Sequence, residues 1–119
     1  MENILSNVLT EEYVEAIGRP IMENILKAHV DSNYQQATMH FTNEFKSDLS
    51  IEEFKQAVKC ELSQLGSISS TNYLGYLNKN KSFLLLWKVK YEKGMDDVLW
   101  KLHLNELSEN AQVECIWFG

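Results

Sequence analysis

Proline occurs once in this chain of 119 residues, glycine five times and cysteine twice. So little proline and glycine excludes collagen-like repeats, proline-rich linkers and low-complexity tracts. The two cysteines, Cys60 and Cys115, lie far apart and neither has a CxxC partner, which excludes a disulfide scaffold and a zinc knuckle. They read as buried free thiols in a reducing compartment. Apolar runs are short as well, and none approaches the roughly 18 residues of a membrane span. Met1 to Thr10 has neither a basic start nor an unbroken apolar stretch, so no secretory signal is expected and a cytoplasmic address follows. Basic residues are in deficit, leaving a formal net charge of −6. The excess acid sits in residues 1–66, whereas acids and bases balance in 67–119. A phosphate backbone would be repelled by the first half, and the lysines of the second half interleave with acids as on a solvated face. Neither nucleic acid nor membrane is an expected partner.

What the chain does have is a hydrophobic content of 45%, enough for the core of a single domain over residues 1–119. Its clearest element starts at Ser50. Glu53 follows three residues later as a capping box, Leu49 and Phe54 flank the box as a staple, and Phe54, Val58, Leu62 and Leu65 line one face. Gly66 stops this helix in a left-handed cap. Upstream, Thr10 caps a first helix with Glu11, Glu12 and Glu15 in its opening turns. Its apolar stripe runs through Val14, Ile17, Ile21, Met22, Ile25 and Leu26, past Gly18-Arg19-Pro20, where the helix either kinks or restarts. After Asp31-Ser32, helical spacing at Tyr34, Ala37, Thr38 and Phe41 predicts a second main helix ending near Thr42. Phe45 to Leu49 is a connector.

Beyond Gly66 the hydrophobic period changes to two. Ser67 to Leu77 forms a first strand and Asn78-Lys79-Asn80-Lys81 a turn. Phe83, Leu85, Trp87, Val89 and Tyr91 then alternate with Leu84, Leu86, Lys88 and Lys90. Val98, Trp100, Leu102 and Leu104 alternate with Leu99, Lys101, His103 and Asn105. A last strand sets Val113, Cys115 and Trp117 against Glu114, Ile116 and Phe118. Short polar turns join antiparallel neighbours, so the expected fold is α+β, with N-terminal helices on a curved four-stranded antiparallel meander. The helices must cover the face bearing Trp87, Trp100 and Trp117. Leu84, Leu86, Leu99, Ile116 and Phe118 then form an apolar outer patch, which predicts a homodimer through the sheet.

The break at Val30-Asp31-Ser32-Asn33-Tyr34, the following Phe41-Thr42, the run Leu49-Ser50-Ile51-Glu52-Glu53-Phe54 ending at Leu65-Gly66, and the terminal strands resemble the nuclear transport factor 2-like superfamily. The likeness covers most of the chain and looks closest to an uncharacterised bacterial branch. It implies a cone-shaped (cystatin-like) fold, a cavity between helices and sheet that holds a small apolar molecule, and dimerisation through the outer sheet. Residues placed to line such a cavity are Tyr34, His40, Trp87 and Trp100. Isomerases of the superfamily use paired acids in that cavity. Here the inward strand positions carry Val, Leu and Trp, and Asp96 and Asp97 fall in a turn, so no catalytic residue is carried over.

No other chemistry is spelled out. His29 and His40 lack metal-ligand spacing and His103 lies on the outer face, so no metal is expected. There is no phosphate loop, no nucleophile motif and no cofactor signature. The preferred reading is a non-catalytic, homodimeric binding domain. Its rivals are an isomerase or dehydratase of the same fold, marked by a buried acid near Tyr34 or His40, and an immunity or adaptor protein using its acidic helical surface.

Overall fold

The hydroxyl of Thr10 accepts a hydrogen bond from the Tyr13 amide at 3.2 Å and opens a helix, α1, over Glu11–Val30. The computed structural model describes residues 10–119. The expected absence of a leader therefore concerns residues 1–9, outside the described ones. Helix α1 passes through Pro20 without interruption. Pro20 and Ala16 are both exposed, so the carbonyl that loses its amide partner faces water. Arg19, the residue proline disfavours in a helix, is held by Glu15 and Glu23 and by the Thr71 carbonyl, and its guanidinium lies 5.2 Å from the Trp87 ring centre. The buried stripe of α1 includes Val14, Gly18, Ile21, Met22, Ile25 and His29. Gly18 is required there: a Cβ at this position would come within 2.3 Å of Leu85 Cδ2.

The second main helix is not formed as expected. Only one turn, α2 at Tyr34–Ala37, is helical, and the chain then runs extended at Phe41, which bridges Val113 in parallel. The Val113 amide donates to the His40 carbonyl at 2.7 Å and the Thr42 amide to the Val113 carbonyl at 2.9 Å. Pairing the open edge of the last strand satisfies backbone groups that a longer helix would leave bare. Thr42 then caps α3, Asn43–Asp48, by accepting from the Phe45 amide, so the expected connector is largely helical.

The capping box at Ser50 is complete, with Ser50 Oγ and Glu53 Oε1 each accepting from the other residue's amide. It starts α4, Ile51–Ala57, which widens into a π-helical turn over Val58–Leu62 and tightens into a 3₁₀ turn over Ser63–Leu65. Phe54, Val58 and Leu62 are all buried. On a regular α-helix, side chains four apart drift by about 40° per step; a turn of i→i+5 bonds lets both Val58 and Leu62 keep facing the core. Gly66 has φ 79° and ψ −155°. That is not the left-handed cap expected but an extended conformation open essentially to glycine alone. Cys60 points to the solvent side of the π turn and is exposed, and Cys115 is half-buried, which corrects the reading of both as buried thiols.

Four strands, β1 Ile68–Asn78, β2 Phe83–Tyr91, β3 Val98–Leu104 and β4 Val113–Phe118, form one open antiparallel sheet in the order β1-β2-β3-β4. Asn80 and Lys81, with φ of 46° and 73°, make the two-residue turn between β1 and β2; two positive φ angles match the right-handed strand twist. Leu85, Trp87, Val89, Trp100, Leu102, Leu104 and Val113 face the helices and are buried. One assignment is reversed. A register shift opposite His103 and Leu104 inserts an extra residue at Glu114, so Ile116 pairs with Leu102 and Phe118 with Trp100, while Cys115 faces His103 and Trp117 faces Lys101. Directly paired residues share a face. Ile116 and Phe118 therefore join the core side, where Phe118 stacks on Trp100 at 4.6 Å, and Trp117 lies outside. The thinnest extent of the molecule is 19 Å, room for the sheet and one helical layer.

Candidate functional site

The stripe that buries α1 ends on a histidine. His29 is 8% exposed and its Nδ1 lies 2.8 Å from the Ile25 carbonyl. A carbonyl only accepts, so Nδ1 carries the proton and Nε2 presents a lone pair. Nε2 has no hydrogen-bond partner among the described residues. The ring meets Phe54 and Trp100 edge-on at 4.8 and 5.2 Å. Burial lowers the His29 pKa below its ordinary 6.5, against a smaller raising effect of the bond to Ile25. The imidazole is accordingly neutral at pH 7.

Two clefts border this ring. The first, about 260 Å³, is partly enclosed between the end of α1 (Leu26, Val30), the π turn (Val58, Leu62) and Tyr91 of β2, with Ser63, Gly66 and Ser67 at its mouth. Apolar walls with a few polar points are the usual make-up of a ligand site, although the volume is below the roughly 300–1,000 Å³ of drug-sized pockets. Tyr91 Oη accepts from Trp100 Nε1 at 3.2 Å, and burial pushes the Tyr91 phenol up. It stays protonated and keeps a hydroxyl to donate. The π turn forms one wall, and such bulges recur at functional sites. The second cleft, about 270 Å³, lies on the other side of α4 and is lined by Phe54, Trp100, Ile116, Trp117 and Phe118 with Glu53 and Glu61.

Neither of these two clefts is lined by Tyr34, His40 or Trp87. The Tyr34 hydroxyl donates to the Leu49 carbonyl at 2.6 Å and its ring packs on Phe54. His40 is half-buried and its carbonyl is tied to β4. Trp87 is fully buried, with an Nε1 that finds no partner among the described residues, a deficit of about 1–3 kcal/mol. Trp100 does border the second cleft. Sequence reasoning weighs His29 only as a metal ligand and does not single out Tyr91, Ser63 or Ser67. The available signal was His29 falling four residues after Ile25 on an apolar stripe.

Catalytic groups do not converge. Among the described residues no Asp or Glu is buried, and no three metal-ligating side chains cluster. Tyr13 donates to the Leu107 carbonyl, and Asp97 pairs with Lys90 at 3.3 Å. The fold does bring Ser82, His103 and Glu114 together. Ser82 Oγ donates its single proton to the Lys79 carbonyl at 2.8 Å, so its 2.6 Å contact with His103 Nε2 has the histidine as donor. Glu114 approaches that same nitrogen at 3.9 Å. No base faces the serine, and the constellation fastens the β1–β2 turn to β3 and β4.

No helix among the described residues is long and apolar enough to cross a membrane. No protein-family model matches the chain, and no curated protein does. Among solved structures it is similar to a SEC-C motif containing protein from Rhodopseudomonas palustris, with a TM-score of 0.52 and 6% identity, over 87% of this chain and 90% of that one. It is also similar to Bd1075 of Bdellovibrio bacteriovorus, with a TM-score of 0.49 and 11% identity, over 85% of this chain and 38% of that one. At such identities, what the first of these likenesses shows is a shared fold.

Proposed function

We propose that this chain is a non-catalytic, nuclear transport factor 2-like domain that works as a homodimer and holds a small apolar ligand in the first cleft. The reading rests on that cleft: a partly enclosed, mainly apolar space between helices and sheet, with a neutral His29 and a protonated Tyr91 at its border. In such a space a ligand gains by leaving water, and one or two polar points fix its orientation. Helices on one face of a four-stranded antiparallel meander are compatible with the cone-shaped fold of that superfamily. The isomerase alternative draws no support from the interior, because the acid pair such chemistry uses has no buried counterpart among the described residues. The homodimer is supported by the outer sheet face, where Leu77, Leu84, Leu86 and Leu99 with Trp117 lie under no helix of the described residues. An uncovered apolar patch of this kind marks interfaces.

Indole, small enough for the cleft and able to donate one N–H, is a suitable probe. Its binding is expected to raise the melting temperature of the wild type as ligand linkage requires. The effect should vanish in Ser67→Trp, which blocks the mouth at an exposed position. Equal stabilisation of both proteins, or of neither, contradicts the assignment.

A further inference from the structure

We propose that the ligand of the first cleft is a phenol or small alcohol, whose single hydroxyl donates to His29 Nε2 and accepts from the Tyr91 hydroxyl. The inference rests on the reading of that cleft as a ligand site and names the chemistry it selects. Two polar groups on its border each keep one unmatched function. His29 spends its Nδ1 proton on the Ile25 carbonyl at 2.8 Å, so Nε2 offers a lone pair that no described residue takes up. Tyr91 Oη accepts from Trp100 Nε1 at 3.2 Å, and no described residue accepts the phenol's own proton. An acceptor and a donor therefore stand unfilled beside one space.

Trp100 makes the pair a single site. Its ring lies edge-on 5.2 Å from the imidazole, and its Nε1 holds the phenol oxygen. His29 and Tyr91 are thus one side chain apart, yet they are not hydrogen-bonded to each other. Phe54 and Trp100 close off the imidazole toward the second cleft, which leaves the first cleft as its open side. Nor is Nε2 sealed: the one enclosed, unpartnered side-chain nitrogen or oxygen among the described residues is Trp87 Nε1. At the mouth, Ser63 Oγ is spent on the Lys59 carbonyl and Ser67 is exposed, so neither serine answers the pair. An apolar body in the cleft expels water from both groups, and either one left unmatched is then penalised. An ether answers Tyr91 alone, and an N–H answers His29 alone. One hydroxyl answers both, because its oxygen donates and accepts at once. Among the described residues no charged side chain lines the cleft, so an ionised ligand would be buried without a counter-charge and is selected against.

The test is an NMR titration of the unaltered protein with p-cresol, 4-methylanisole and toluene, which share a ring and differ in what they donate and accept. The imidazole nitrogens and the methyl groups of Leu26 and Val58 are followed. p-Cresol is expected to bind about tenfold more tightly than 4-methylanisole, and the latter about threefold more tightly than toluene. Only p-cresol should shift His29 Nε2, with Nδ1 left in place. Equal affinity for all three, with shifts on Leu26 and Val58, means that water alone bridges the pair; it overturns the hydroxyl assignment and leaves the cleft standing as a site. p-Cresol binding that does not move Nε2 overturns the assignment as well. If none of the three shifts those methyl groups, the reading of the cleft itself fails and takes this inference with it.

Discussion

At the scale of single residues, His29 carries the most consequential chemistry, since it is buried, neutral and shared by both clefts. Its folded-state pKa lies below its ordinary 6.5, so between those two values the unfolded chain binds the proton more readily than the folded one. Stability that His29 contributes is therefore complete above about pH 6.5 and is lost as pH falls toward the folded value. Denaturant unfolding between about pH 7.5 and pH 5 should show this decline, and His29→Gln, which cannot take up the proton, should show a shallower one. An equally steep decline in the variant would place the effect elsewhere. One inserted residue has comparable reach. The extra position at Glu114 turns Ile116 and Phe118 inward and Trp117 outward, because a shift of one residue exchanges the two faces of a strand. Simple alternation along 113–118 contains no sign of it.

At the scale of elements, legibility followed the number of signals that agreed. β2 and β3 were readable residue by residue, since strict alternation of large apolar side chains has only one solution on a covered sheet. The start of α4 was equally clear, its capping box being written in Ser50 and Glu53. Removing that box with Ser50→Ala should cost about 1 kcal/mol of stability, measured by the denaturant midpoint; a loss under a few tenths would mean the capped end contributes little to the folded state. The π turn at Val58–Leu62 was hidden because steps of four residues fit an α-helix nearly as well. Phe41 was misassigned to a helix for a different reason. Its local spacing is helical, but its backbone joins Val113, and a contact across the whole chain leaves no trace in a local pattern. The candidate site drew on these illegible parts. The π turn walls the first cleft, the bulged end of β4 the second, and a histidine on a stripe borders both; none of these forms a motif.

At the scale of the whole molecule, the described residues form a slab 19 Å thick, in which they place helices over one sheet face and none over the other. Leu86 lies on that face opposite Gly75 and Lys101. Sedimentation equilibrium at micromolar concentration should give twice the chain mass, and Leu86→Glu should give one chain's mass with unchanged circular dichroism, since a buried unpaired charge would split the interface. A monomer in the wild type would remove the dimer and leave the clefts untouched. The claim on which the account chiefly depends is that the space between helices and sheet is a site. A methyl-resolved NMR titration with indole tests it most directly. Shifts concentrated on Leu26, Val30, Val58 and Leu62 are the predicted result; shifts centred on Leu84, Leu86 and Leu99, or none at all, would contradict it.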